Sequence, residues 1–176
     1  MISGTSFPLH AWIGSNRGLL RPPTGGKTVL SGEDFMITIV GGPNARTDYH
    51  VNPFEEFYFQ LEGTMTLRIQ HDGRPYDIDI AAGSTYLLPP RVPHAPRRPA
   101  ATVGLILEKI RKPDEIDADE WYCEDCNALL FRKEAFIEVV ERDMPPVFEA
   151  YYSNADHQRC ESCGHVNPGR PVPQAA

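Results

Sequence analysis

The chain has 176 residues, 41% of them hydrophobic, and a formal charge of −7 from 17 Lys and Arg against 24 Asp and Glu. That length suits one domain with an appendage. The acidic balance excludes a nucleic-acid or anionic-membrane surface, so an anionic substrate must meet arginines gathered locally.

Met1-Ile2-Ser3-Gly4 shows no basic region followed by an apolar run, and the longest apolar stretches, such as Val103 to Leu107, are too short to span a bilayer. A soluble cytoplasmic protein is expected. The 17 prolines, in runs such as Arg21-Pro22-Pro23, Leu88-Pro89-Pro90 and Met144-Pro145-Pro146, disfavour long helices and favour short strands joined by shaped loops.

In chain order, Phe35 to Val40 is β-branched and apolar, Glu56 to Leu61 is aromatic-rich, and Thr64 to Ile69 alternates with Met65, Leu67 and Ile69 on one face. Tyr76, Ile78 and Ile80 alternate with Asp77 and Asp79, and the intervening His71-Asp72-Gly73-Arg74 carries a hairpin signal in its Asp-Gly pair. Ser84 to Leu88 and Val103 to Leu107 read as further strands, so the spacing predicts an all-β antiparallel sandwich or barrel over residues 1–112. Beyond Lys112 the segment Pro113 to Glu120 is acidic and linker-like, and a cysteine-bearing extension fills 113–176. Within it Ala128 to Val140 reads as a hairpin or pair of strands, and Pro168 to Ala176 as disordered tail.

Two spacings carry chemistry. His50 and Glu56 lie six apart with Gly63 seven beyond the Glu; Gly83 is followed by Pro89 six later and His94 five beyond that. These resemble the two cupin motifs, which imply a jelly-roll β-barrel with His50, Glu56 and His94 as metal ligands. Asn52 stands where cupins often have another His, leaving two imidazoles and one carboxylate. Such a set suits octahedral Fe²⁺ with three open positions, whereas zinc usually closes to four ligands and has no redox chemistry. Taken singly, each of these residues is more often structural; the joint spacing favours a metal site. On the Glu56 strand, Tyr58 and Gln60 share its face. His71 is expected in solvent, and His10 and His157 receive no role.

A closer resemblance follows from longer segments: Gly41-Gly42-Pro43-Asn44-x-Arg46-Thr47-Asp48-Tyr49-His50, then Glu55-Glu56-Phe57, then Leu87-Leu88-Pro89-Pro90-x-Val92-x-His94-x-Pro96-x-Arg98-Pro99, and Glu120-Trp121-Tyr122-Cys123. Together they resemble the 3-hydroxyanthranilate 3,4-dioxygenase family over nearly the whole chain, in its bacterial and fungal form. The resemblance implies a small aromatic aminohydroxy acid and O₂ as substrates. The ring opens to a carboxymuconate semialdehyde that cyclises to quinolinate, in kynurenine-pathway tryptophan breakdown or NAD biosynthesis. It implies a homodimer, and it carries second-sphere roles over to Arg46, Arg98 and Glu108. Arg98 offers a planar fork to the substrate carboxylate. Glu108 shares a proton with the phenol or amine. Arg46 offsets charge building on dioxygen. Arg97 is read as a surface residue. Gly26 and Tyr58 depart from the family pattern, where Asn in a loop and Phe are expected, and a sibling substrate such as 4-amino-3-hydroxybenzoate is the nearest alternative. A non-enzymatic small-anion-binding cupin and an electron-transfer module are the readings from other classes.

Cys123-Glu124-Asp125-Cys126 and Cys160-Glu161-Ser162-Cys163 are two CxxC knuckles, followed by Asn127 and Gly164, residue types that accept positive φ. Four thiolates make a tetrahedral site for Fe or Zn. The family resemblance implies a rubredoxin-like iron site, and a structural clip is favoured over a redox role.

Overall fold

The computed structural model describes residues 6–22, 25–44 and 46–171. Met1–Gly4, Pro23 and the end of the expected disordered tail, residues 172–176, lie outside the described residues. Among the described residues, eleven strands form two sheets: β1 (Gly26–Ser31), β2 (Phe35–Gly41), β3 (Tyr49–Val51), β4 (Glu56–Glu62), β5 (Met65–His71), β6 (Arg74–Ile80), β7 (Thr85–Leu88), β8 (His94–Arg97), β9 (Val103–Lys109), β10 (Asp117–Tyr122) and β11 (Leu129–Ala135). Helix α1 (Leu9–Ser15) precedes them, and α2 (Val140–Tyr152) and α3 (Ala155–Gln158) follow. One sheet has the order β1-β2-β9-β4-β7, the other β11-β10-β3-β8-β5-β6. The all-β jelly-roll expectation holds, and among the described residues no helix is long and apolar enough to cross a membrane.

The alternating strands lie where the periodicity puts them. Asp72 and Gly73 both have left-handed φ (49° and 72°), as the tight turn between β5 and β6 demands. Met65 and Leu67 point inward with Tyr58, Ile80 and Leu88 to form the barrel core. Ile13 and Leu20 cover Ile39 and Val103 on the outer side of the first sheet. Each such side chain contributes roughly 1.5–3 kcal/mol by leaving water.

Three expectations fail. The acidic segment 113–120 is not a linker: its second half is β10, buried between β3 and β11. Its carboxylates look like linker composition only because their cations sit on other elements: Arg111 for Asp117, Arg46 for Asp119, Arg132 for Glu120. The region Ala128 to Val140 yields one strand, β11, rather than a pair. And α2 runs 13 residues with Pro145 and Pro146 inside it, because Val147 and Tyr151 seat its apolar face on Trp121, whose ring stacks on Tyr151 at 4.5 Å. Tertiary burial outweighs the proline penalty there.

The boundary drawn at Lys112 falls between β9 and β10, yet β10 pairs with β3 through Ala118↔Val51, Asp119↔His50 and Glu120↔Tyr49. A chain ended after Lys112 leaves the β3 edge bare and removes the buried partner of Arg111. Such a chain is expected to show no cooperative thermal transition by circular dichroism; a sharp transition with intact metal uptake would show β10 to be dispensable.

Candidate metal centre and its surroundings

His50 on β3 stands directly opposite His94 on β8 in the strand register, and Glu56 opens β4 in the facing sheet. The three therefore meet inside the barrel, with Glu56 3% and His94 1% exposed. His94 Nδ1 lies 2.9 Å from the Val92 carbonyl, which only accepts, so Nε2 keeps its lone pair. His50 Nε2 lies 2.8 Å from Asp117 Oδ1, which leaves Nδ1 free. Those two free nitrogens sit 3.5 Å (His50) and 3.4 Å (His94) from Glu56 Oε1. All ligand atoms of the triad lie within 4.8 Å of one another, a donor set that fits one divalent metal bound on a single face. Burial drives the Glu56 carboxyl up, but His94 and His50 beside it hold it well below the usual range; it is present as carboxylate.

A second layer orients the triad, and the sequence did not reveal it. Asp117 accepts from His50 and is itself gripped by Arg111, whose Nη2 lies 3.0 Å from Oδ1. Arg111 Nη1 also donates to Glu108 Oε2 at 2.5 Å. Arg111 and Asp117 are six residues apart across an irregular connection, so no periodicity announces their pairing. Burial and the nearby Glu56 charge raise the Glu108 pKa, with Arg111 opposing.

Arg98 follows β8 and is 5% exposed. Its Nη1 donates to Gln60 Oε1 at 3.1 Å, and its Nη2 has no hydrogen-bond partner among the described residues. Burial lowers its pKa to about 10, so it remains a cation at neutral pH. Gly104 makes room for it: a Cβ there would lie 2.8 Å from Nη1. A buried guanidinium with an unmet donor is costly unless an anion completes it. Arg46, by contrast, is engaged: Nε donates to Asp48 at 2.9 Å and Nη2 stands 3.6 Å from Asp119. Burial with the nearby Asp48 charge raises Asp119 to about 7, against the pull of His50. Arg97 is exposed, as read from sequence. A cleft of about 1050 Å³ is lined by Arg17, Arg21, Arg46, Arg97 and Arg98 against the single carboxylate of Asp77. None of the triad residues lines it, and Arg17 and Arg46 are already paired with Glu62 and Asp48.

The two CxxC knuckles converge. Cys123 and Cys163 sulfurs are 3.6 Å apart and those of Cys126 and Cys160 3.5 Å, near the roughly 3.8 Å edge of a tetrahedron with 2.3 Å metal–sulfur bonds. The knuckles repeat one geometry. The amide of Asn127 (φ 61°) donates to Cys123 O and that of Gly164 (φ 81°) to Cys160 O, each at 2.9 Å. The cluster is tied to the barrel by a reciprocal amide pair, Gln70 with Asn127, both bonds 2.9 Å.

Removing one of three triad donors leaves an inadequate site. Glu56→Ala or His94→Ala is expected to lose turnover and metal from the barrel while keeping metal at the cysteines; metal analysis giving full barrel occupancy in Glu56→Ala would contradict this. Cys160→Ser is expected to lower the Tm by about 5 °C or more, since structural metal binding is coupled to folding, yet to leave activity per folded, metal-loaded barrel nearly unchanged. A stable Cys160→Ser protein with intact barrel metal and no turnover would instead indicate a redox role.

Comparison with known proteins agrees with this geometry. The profile of the 3-hydroxyanthranilic acid dioxygenase family matches residues 1–152. A relative named 3-hydroxyanthranilate 3,4-dioxygenase from Xanthomonas oryzae pv. oryzae (strain MAFF 311018) is 48% identical over 160 residues, covering 91% of this chain and 90% of that one. Another of the same name from Jannaschia sp. (strain CCS1) is 44% identical, covering 97% and 95%. With the family matched across the barrel and most of the extension, the chain belongs to the 3-hydroxyanthranilic acid dioxygenase family.

Proposed function

We propose that the protein is a non-haem Fe(II) ring-cleaving dioxygenase that converts 3-hydroxyanthranilate and O₂ to 2-amino-3-carboxymuconate semialdehyde. Family membership and the triad support an enzyme of this class; the observation that carries the substrate is the buried Arg98 with an unmet Nη2 donor. Iron held by His50, Glu56 and His94 would supply the Lewis acidity and the O₂ chemistry.

The chain's own residues supply the rest. Arg98 receives the substrate carboxylate through a planar two-donor fork and fixes the ring's orientation. Glu108, its pKa raised and its position fixed by Arg111, takes the proton released from the substrate phenol oxygen. Arg46, steadied by Asp48 and Asp119, offsets negative charge that builds as the ring opens. The bond broken lies between the hydroxyl-bearing carbon and its unsubstituted neighbour, and both oxygen atoms enter the product. Asp117 acts through His50 rather than on substrate.

Neither departure from the family pattern adds a free polar group to the pocket. Gly26, expected in a loop, opens β1, and a Cβ there would meet Val40 Cγ1 at 2.9 Å. The Tyr58 hydroxyl is already bonded to Glu56. We further infer iron or zinc at the cysteines, acting as a clip, and a homodimer, which sedimentation would test. Anaerobic addition of 3-hydroxyanthranilate to the ferrous protein, followed by O₂, should give the ultraviolet absorbance of the ring-opened product; its absence in iron-loaded protein would refute the assignment.

Arg98→Ala is expected to keep its metal but lose substrate recognition. Stripping a desolvated carboxylate of its charged partner costs about 2–5 kcal/mol, a fall in kcat/KM of roughly 30- to several thousand-fold if the loss persists in the transition state. The control is 2-aminophenol, which chelates but lacks the carboxylate. Wild type should prefer 3-hydroxyanthranilate strongly and Arg98→Ala only weakly; equal discrimination by both would move the anchor to Arg46.

A further inference from the structure

The peptide groups of β8 point alternately to its two flanks. On one flank β8 pairs with β5 from Thr66↔Arg97 to Ile69↔His94. On the other, its one strand pairing among the described residues is His50↔His94 of β3. Beyond that pair the Pro96 carbonyl and the Arg98 N–H have no strand beside them, and a side chain takes its place. Asn44 Nδ2 donates to Pro96 O at 2.7 Å, and Asn44 Oδ1 accepts the Arg98 N–H at 2.8 Å. The Asn44 backbone N–H in turn donates to Arg98 O at 3.1 Å. The two segments are in contact beside this clamp: a Cβ on Gly42 would lie 2.1 Å from Pro99 O.

The Asn44 carboxamide thus replaces one peptide group of a missing strand, being planar with an acceptor at one end and a donor at the other. Aspartate offers two acceptors and would set one against the Pro96 carbonyl; alanine offers nothing. Both polar groups of the Arg98 backbone are held by this one residue, 54 positions earlier in the chain. From that fixed point the Arg98 side chain reaches Gln60 with Nη1 and keeps Nη2 free. We propose that Asn44 is a positioning residue for substrate recognition: it fixes the Arg98 backbone so that the free Nη2 donor meets the substrate carboxylate. Its effect passes through Arg98 and not through any contact with substrate. This rests on Arg98 as the carboxylate anchor and deepens that reading.

The test is anaerobic binding to the full-length ferrous protein, measured by calorimetry with 3-hydroxyanthranilate and with 2-aminophenol. The two ligands share their chelating groups, so the ratio of their Kd values reports recognition of the carboxylate. Asn44→Ala is expected to lower the preference for 3-hydroxyanthranilate about ten- to a hundredfold, the range set by one hydrogen bond to a charged group. Iron content and 2-aminophenol affinity should stay near wild type. In an Arg98→Ala background the same change should lower the preference no further, a result that general destabilisation would not give. Unchanged preference in Asn44→Ala, or an equal loss in both backgrounds, overturns the proposal. If Asn44→Ala does not fold, Asn44→Leu, neutral and close to asparagine in shape, is read by the same two outcomes. An Arg98→Ala protein that discriminates like wild type would fail the anchor reading and the proposal with it. Loss of preference in Arg98→Ala, with full preference in the Asn44 variants, would fail the proposal alone.

Discussion

Charge buried in the barrel is the constraint on which the rest of the structure depends. Glu56, Asp117 and Asp119 are each at most 3% exposed, and a carboxylate taken out of water costs several kcal/mol unless a cation or hydrogen-bond donors meet it. The fold meets this for Asp117 by threading β10 between β3 and β11, so that it reaches His50 and Arg111, whereas Asp119 stands 3.6 Å from Arg46 and its pKa is raised to about 7. The register that satisfies these pairs also sets His50 against His94. Stability and site geometry are consequently one problem, solved by one set of strand pairings.

Much of this was legible in the sequence. The triad could be read because its ligands sit at fixed distances from a turn glycine and a turn proline, and turn geometry is local. The inward face of β4 could be read because alternation has period two: Glu56, Tyr58 and Gln60 are each 3% exposed or less. The knuckles could be read because Asn127 and Gly164 occupy the left-handed positions that the spacing requires. What escaped was non-local. Asp117 and Arg111 look like surface charge until β10 is placed, and the proline-bearing α2 looks like loop until Trp121 is under it.

The His50–Glu56–His94 triad and the four-cysteine cluster are joined mechanically. β10 carries Asp117 near its start and leads directly into Cys123. The Asn127 knuckle grips Gln70, whose backbone N–H donates to Pro93 O at 2.9 Å, one residue before His94. Tyr152 at the end of α2 contacts Thr47, beside Arg46. The extension thus braces the barrel at three points around the triad.

The insertion of β10 also imposes an order of events on synthesis. His50, Glu56 and His94 leave the ribosome well before Asp117 and the cysteines, and domains begin to fold from the N-terminus as they emerge. A nascent barrel at that stage has the triad residues but lacks the strand that closes the β3 edge and holds His50 Nε2. The finished geometry of the triad therefore waits for β10 to emerge.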